Sequence, residues 1–122
     1  MIILAHAMVA LVTLLHLYFM VLEIFFWDKP LGIRIFRTDP EFAKATRKLA
    51  ANQGLYNGFL AAGLIWGLIL GDNGGSIKIF FLICVLVAGV FGALTANRKI
   101  IYIQALPAAI ALILIGLAGA NN

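Results

Sequence analysis

Four long apolar segments decide what this chain can fold into. They occupy residues 2–27, 49–70, 77–95 and 100–117. About 20 apolar residues in a helix are enough to cross the hydrocarbon core of a bilayer. Hydrophobic residues make up 64% of the chain and charged residues only 11%, whereas soluble domains hold about 45–50% and about 25%. The sequence therefore predicts an all-α integral membrane protein, a single-domain four-helix antiparallel bundle.

The charges are distributed unevenly between these segments. Six of the nine basic residues lie in the connection 28–48, and two more, Arg98 and Lys99, lie in the third connection. The connection 71–76 carries Asp72 and no base. Basic connections stay in the cytoplasm, so we expect both termini on the outer side. The positive net charge then describes the topology of a multi-pass protein of the bacterial inner membrane, with membrane lipids and not nucleic acid as its partners.

The first connection contains the pattern of a helix start. In Thr38-Asp39-Pro40-Glu41, Thr38 is the expected cap, Pro40 suits the first turn, and the helix is expected to run on into the second apolar segment. Lys44, Arg47 and Lys48 follow at helical spacing and share a face. Two compatible interpretations of this face are contact with anionic headgroups and a solvated cytoplasmic flank.

The first segment carries a polar stripe. His6, Thr13, His16 and Glu23 fall within an arc of roughly 100° on a helix, so we expect them to face the bundle interior. Ionisable residues within a membrane are costly and are candidates for function. Glu23 is a candidate proton carrier, acid/base or cation ligand, or alternatively the partner of Arg98, Lys99 or another nearby base. His16 would relay a proton or hold a ligand, or alternatively bond to a neighbouring helix.

Amides and a tyrosine begin the second segment. Gln53 and Asn57 lie one turn apart on one face, and Asn52 and Tyr56 share a different face. With Glu23 and the start of the fourth segment, they predict a polar pocket that opens to the cytoplasm. The alternative is that these groups only tie helices together. The predicted ligand-binding residues are His16, Glu23, Gln53, Asn57, Asn52, Tyr56 and Gln104.

Some chemistries are excluded by spacing. Both histidines lie on one helix about 15 Å apart, and the single cysteine lies in an apolar run, so we predict no metal site and no cofactor.

Glycines at Gly54 and Gly58, and at Gly63, Gly67 and Gly71, have the spacing that lets membrane helices approach closely. Both sets pack within one subunit, or one set forms a contact in a homodimer. Pro107 predicts a kink in the fourth segment.

Two stretches resemble a known family. They are His16-Leu17-Tyr18-Phe19-Met20-Val21-Leu22-Glu23 and Asn52-Gln53-Gly54-Leu55-Tyr56-Asn57-Gly58. The chain resembles, along its whole length, a bacterial family of integral membrane proteins catalogued as domain of unknown function number 1304. The resemblance implies four spans and no particular activity. The family's characteristic positions would correspond to His16, Glu23, Asn52, Gln53, Tyr56 and Asn57.

Four functions remain open at this stage, including whether the protein is an enzyme. The first is binding of an amphipathic or lipid-like small molecule in the cytoplasm-facing pocket. The second is proton-coupled export by a homodimer, in which Glu23 exchanges a proton for substrate. The third is a membrane isomerase that uses Glu23 or His16 as acid/base. The fourth is an accessory subunit without a ligand.

Overall fold

The computed structural model describes residues 1–120, and within this range the regular structure is helical. A π-helical turn, Leu22–Phe26, extends the first α-helix, and a second π-helical turn, Ile101–Ala105, precedes the last. A 3₁₀ turn, Gly71–Gly74, joins the third helix to the fourth. The α-helices are α1 Ile2–Val21, α2 Pro30–Phe36, α3 Pro40–Ile69, α4 Gly75–Thr95 and α5 Leu106–Ala120.

Three of the helical segments are long and apolar enough to cross a membrane. They are Ile2–Phe26, Gly71–Thr95 and Ile101–Ala120, and they correspond to the first, third and fourth predicted spans. The second predicted span, 49–70, lies within α3 except for its last residue, and α3 is a continuous helix of 30 residues. The mean hydropathy of this stretch is lowered by three amide side chains, those of Asn52, Gln53 and Asn57. For this reason α3 is not among the helices that are apolar enough to cross a membrane.

Within residues 1–120, the chain forms two compact units, which we call the core unit and the connector unit. The core unit comprises Met1–Leu14 and residues 60–120, and the connector unit comprises Leu15–Phe59. The core unit is built around apolar side chains of α1, α3, α4 and α5 that are removed from solvent. They are Val9, Val12, Leu64, Leu82, Val85, Ala108 and Ala111.

The connector unit is held together by aromatic and polar contacts. The ring centroids of Trp27 and Phe36 lie 4.9 Å apart, so the end of the first span contacts α2. Trp27 Nε1 donates a hydrogen bond to Thr46 Oγ1 at 3.0 Å, which ties the same ring to α3. An ion pair joins Arg47 Nη1 to Asp28 Oδ2 at 3.7 Å. The predicted connection 28–48 is therefore a folded structure and not a loose loop.

The start of α3 was predicted correctly, but the capping residue was wrong. Asp39 Oδ1 accepts hydrogen bonds from the backbone N–H groups of Glu41 and Phe42 at 2.9 and 3.0 Å. Thr38 Oγ1 is buried and has no partner within residues 1–120. Asp39 is the residue directly before Pro40, the first helical residue, and so it occupies the N-cap position.

Four of the five spaced glycines are packed within the subunit, and Gly71 has no described atom within 4 Å of its Cβ position. Gly58 faces Met20, and Gly63 faces the ring of Phe81. The alternative that one set forms a contact in a homodimer stays a prediction. A π-helical turn ends two residues before Pro107, and there Leu106 N–H donates to the Ile101 carbonyl. The kink at Pro107 stays a prediction.

Candidate functional site

The polar stripe of the first span is buried. Thr13, His16 and Glu23 expose 4%, 1% and 3% of their surface. Thr13 Oγ1 donates to the carbonyl oxygen of Val9 at 2.8 Å, so its hydroxyl is satisfied within its own helix. Glu23 is different because a carboxylate accepts several hydrogen bonds and donates none.

The Glu23 carboxyl group is held by α3. Asn57 Nδ2 donates a hydrogen bond to Glu23 Oε1 at 2.8 Å. Glu23 Oε2 is buried, and no residue within 1–120 donates a hydrogen bond to it. Glu23 also lies in the π-helical turn Leu22–Phe26, and such turns are frequent at functional sites. We call this arrangement the Glu23–Asn57 site.

Glycines of α3 make the close approach at this site. A side chain at Gly54 would lie 3.1 Å from both Glu23 Cβ and the Met20 carbonyl oxygen. A side chain at Gly58 would lie 2.7 Å from Met20 Sδ. Gly54 and Gly58 flank Asn57 in sequence, so the same turns of α3 supply both the donor and the space that brings it to the carboxylate.

The other residues predicted for the pocket are distributed differently. Gln53 lies one turn before Asn57, and its side-chain amide interacts with the Glu23 carboxyl group. This amide does not donate a well-formed hydrogen bond to Oε2. Asn52 and Tyr56 are exposed on another face of α3, as their spacing implied. His16 is buried in the connector unit. Gln104 is half-buried in the second π-helical turn.

Within the connector unit, Glu23 forms no ion pair with a base of the first connection, and the ion pair that forms there joins Arg47 to Asp28. The alternative that Glu23 pairs with Arg98 or Lys99 stays a prediction. Asn57 donates a hydrogen bond to Oε1, and Gln53 also interacts with the carboxyl group without donating a well-formed hydrogen bond to Oε2.

A second buried polar group lies in the core unit. Lys78 exposes only 2% of its surface. Its Nζ donates to the Gly71 carbonyl oxygen at 2.8 Å and lies 2.9 Å from His6 Nε2. The carbonyl is at the carboxyl end of α3, where a cation is stabilised by unpaired backbone oxygens. This gives Lys78 a structural role as a cap between α3 and α4.

The buried position of Lys78 was not predicted, because only the charges in the connections between the apolar segments were compared. It is the ninth basic residue, and it lies inside the apolar segment 77–95 and not in the turn before it. A lysine in the first turn of an apolar helix was the signal that could have revealed it. His6 is consequently a partner of a buried lysine.

The arrangement limits the chemistry that these residues can perform. Among residues 1–120, no group of three or more His, Cys, Asp or Glu side chains is placed to hold a metal ion. The Glu23–Asn57 site offers one carboxylate oxygen for an incoming donor. That oxygen can accept a hydrogen bond from a hydroxyl or an amine, or it can take a proton.

Comparison with known proteins places this chain in a family of unknown function. The model of the family described as "Protein of unknown function (DUF1304)" matches residues 10–116, so the chain belongs to this family. It is also similar to the "Uncharacterized protein YpaA" of Lactococcus lactis subsp. lactis (strain IL1403), with 34% identity over 105 residues. That match covers 84% of this chain and 88% of the relative. No solved structure matches the chain.

Proposed function

We propose that this protein is an integral membrane protein that binds an amphipathic small molecule at the Glu23–Asn57 site. One observation carries the proposal: Glu23 is buried within an apolar span, and one of its two carboxylate oxygens has no donor among residues 1–120. Leaving a buried acceptor unsatisfied costs about 1–3 kcal/mol, and more if the group is charged. A ligand that donates a hydrogen bond to Oε2 recovers this free energy.

The unsatisfied oxygen defines the polar part of the ligand. Asn57 already donates to Oε1, and the carboxyl group in its ionised form can only accept. A ligand of the ionised form must therefore present a hydroxyl, amide N–H or amine group at one end. Since the acceptor is an ionisable oxygen, an amine offers the stronger, charge-assisted hydrogen bond.

The surroundings of the site define the rest of the ligand. Large apolar side chains of the connector unit are exposed on the same helices, among them Phe25 and Phe59, which expose 63% and 56%. In a bilayer, these surfaces contact acyl chains. A molecule that reaches Glu23 from the membrane must be apolar over most of its length, and an amphipathic or lipid-like molecule meets this requirement.

The proposal includes the membrane arrangement that the charges indicate. In this arrangement, the stretch 49–70 of α3 is a fourth span and both termini lie on the outer side. The basic residues between 28 and 48 then face the cytoplasm, and the Glu23–Asn57 site lies in the cytoplasmic half of a bacterial inner membrane. Support comes from the length of α3, which continues from Pro40 to Ile69 without a break.

A single-chain amine is a suitable probe for this site. We expect hexadecylamine and 1-hexadecanol to bind the purified protein in phosphatidylcholine nanodiscs, and hexadecane, which has no donor, to bind at least about tenfold more weakly. Glu23→Gln replaces one carboxylate oxygen with an amide N–H₂ group, which donates instead of accepting. The variant should therefore bind hexadecylamine and 1-hexadecanol more weakly by a similar factor. Occupancy is measured by native mass spectrometry over a ligand titration.

Glu41→Gln is the matched control for this experiment. It makes the same chemical change at an exposed carboxylate in the first turn of α3, and it should leave binding of hexadecylamine unchanged. Thermal unfolding in the same nanodiscs verifies that each variant is folded. Equal binding of hexadecane and hexadecylamine, or full binding by a folded Glu23→Gln variant, would refute the proposed site.

A further inference from the structure

The connector unit also contains an open cleft that the Glu23–Asn57 site does not use. Its volume is about 640 Å³. Three basic residues and one acidic residue line it, so its charge is positive. The lining residues are Asp28, Pro40, Lys44, Ala45, Arg47 and Lys48. We propose that this cleft binds the phosphate-bearing headgroup of an anionic phospholipid.

The cations of the cleft are available to an anionic ligand. Arg47 is oriented by Asp28, but the pair is 3.7 Å long and the Arg47 side chain remains 57% exposed. Lys44 and Lys48 have no carboxylate within ion-pair distance among residues 1–120. A planar guanidinium and two ammonium groups around one cleft suit a phosphate, which accepts several charge-assisted hydrogen bonds.

The cleft is built on a supported framework. The Trp27 ring contacts Phe36 and donates to Thr46, the residue before Arg47. Asp39 caps the helix that carries all three basic residues. These contacts fix the first two turns of α3 before any ligand arrives. Less conformational entropy is therefore lost when a headgroup binds.

An apolar stripe beside the cations selects a lipid over a soluble phosphate. Phe42, Ala45 and Leu49 follow at helical spacing on α3, and Ala45 itself lines the cleft. Phe42 and Leu49 expose 51% and 71% of their surface. A phospholipid places its phosphate among the cations and its acyl chains along this stripe, whereas a free phosphate leaves the stripe uncovered.

Spin-labelled lipids test this inference on the whole protein. In phosphatidylcholine nanodiscs, the wild-type chain should retain spin-labelled phosphatidylglycerol at least about tenfold better than spin-labelled phosphatidylcholine, because basic residues near a membrane surface attract anionic lipids. The triple variant Lys44→Gln, Arg47→Gln, Lys48→Gln should lose most of this preference. Electron paramagnetic resonance measures the motionally restricted fraction of each lipid.

The matched control removes three other charges from the same connection. Lys29→Gln, Arg34→Gln and Arg37→Gln change exposed residues outside the cleft, and this variant should retain the preference to within about threefold. If both triple variants lose the preference for phosphatidylglycerol equally, the lipid is held by the general surface charge and the assignment to the cleft is wrong. Displacement of the lipid by an equal amount of glycerol 3-phosphate would overturn the assignment to a lipid, and so would an equal retention of the two lipids by the wild-type chain.

Discussion

Replacing Gly32 with alanine is expected to lower the free energy of unfolding by at least about 2 kcal/mol, because the new methyl group has no space. Gly32 is buried in α2. A Cβ atom there would overlap the Phe26 carbonyl oxygen, and it would lie 2.8 Å from the Phe26 carbonyl carbon and 3.0 Å from Trp27 Cα. These are main-chain atoms of the first span's end, so they cannot move aside as a flexible side chain does.

The better helix propensity of alanine does not offset this clash. It contributes at most about 1 kcal/mol in the opposite direction. The change is measured by unfolding the purified protein in mixed micelles with increasing sodium dodecyl sulfate, followed by tryptophan fluorescence. Gly116→Ala in α5 is the control, because no atom lies within 4 Å of its Cβ position. A Gly32→Ala variant as stable as the control would contradict the packing of α2 against the first span.

Replacing Gly74 with alanine is the second change with a large expected effect. A Cβ atom at Gly74 would overlap the carbonyl oxygen of Gly67 and lie 3.0 Å from Gly67 Cα. The turn that ends α3 must then separate from the helix, at a cost of about 1–3 kcal/mol. Lys78 would be disturbed as well, because it packs against Gly67. Its Cγ atom lies 2.5 Å from the position that a Cβ atom of residue 67 would take.

The neighbouring glycine gives a close control for Gly74. Gly75 has no atom within 4 Å of its Cβ position, so Gly75→Ala should leave the stability unchanged or slightly higher. Thermal unfolding in one detergent compares the two variants directly. If Gly74→Ala melts at the same temperature as Gly75→Ala, the close contact between the 3₁₀ turn and α3 is wrong.

The helices were predictable because apolar runs and helix-start residues are local properties of the sequence. Residues 2–27 coincide with the first candidate span to within one residue, and α3 begins where Pro40 suggested. The choice of cap was not resolved by composition, since Thr38 and Asp39 are both good capping residues. Only the backbone position relative to Pro40 decides between them.

The Glu23–Asn57 contact was partly predictable, and the Lys78 contact was not. The spacing of Gln53 and Asn57 placed both amides on one face, and the polar stripe placed Glu23 toward the protein interior. Which amide reaches the carboxylate depends on how closely α3 approaches, and Gly54 and Gly58 set that distance. Lys78 meets His6 across 72 positions in sequence, and no local pattern records such a pairing.

The central claim is that Glu23 Oε2 accepts a hydrogen bond from a ligand inside the protein. Isotope-edited infrared spectroscopy of the glutamate side chains tests it most directly. We expect hexadecylamine to shift a carboxyl band of the wild-type protein that is absent from the Glu23→Gln variant, whereas hexadecane leaves this band in place. A Glu23 band that does not move when hexadecylamine occupies the protein would contradict the account.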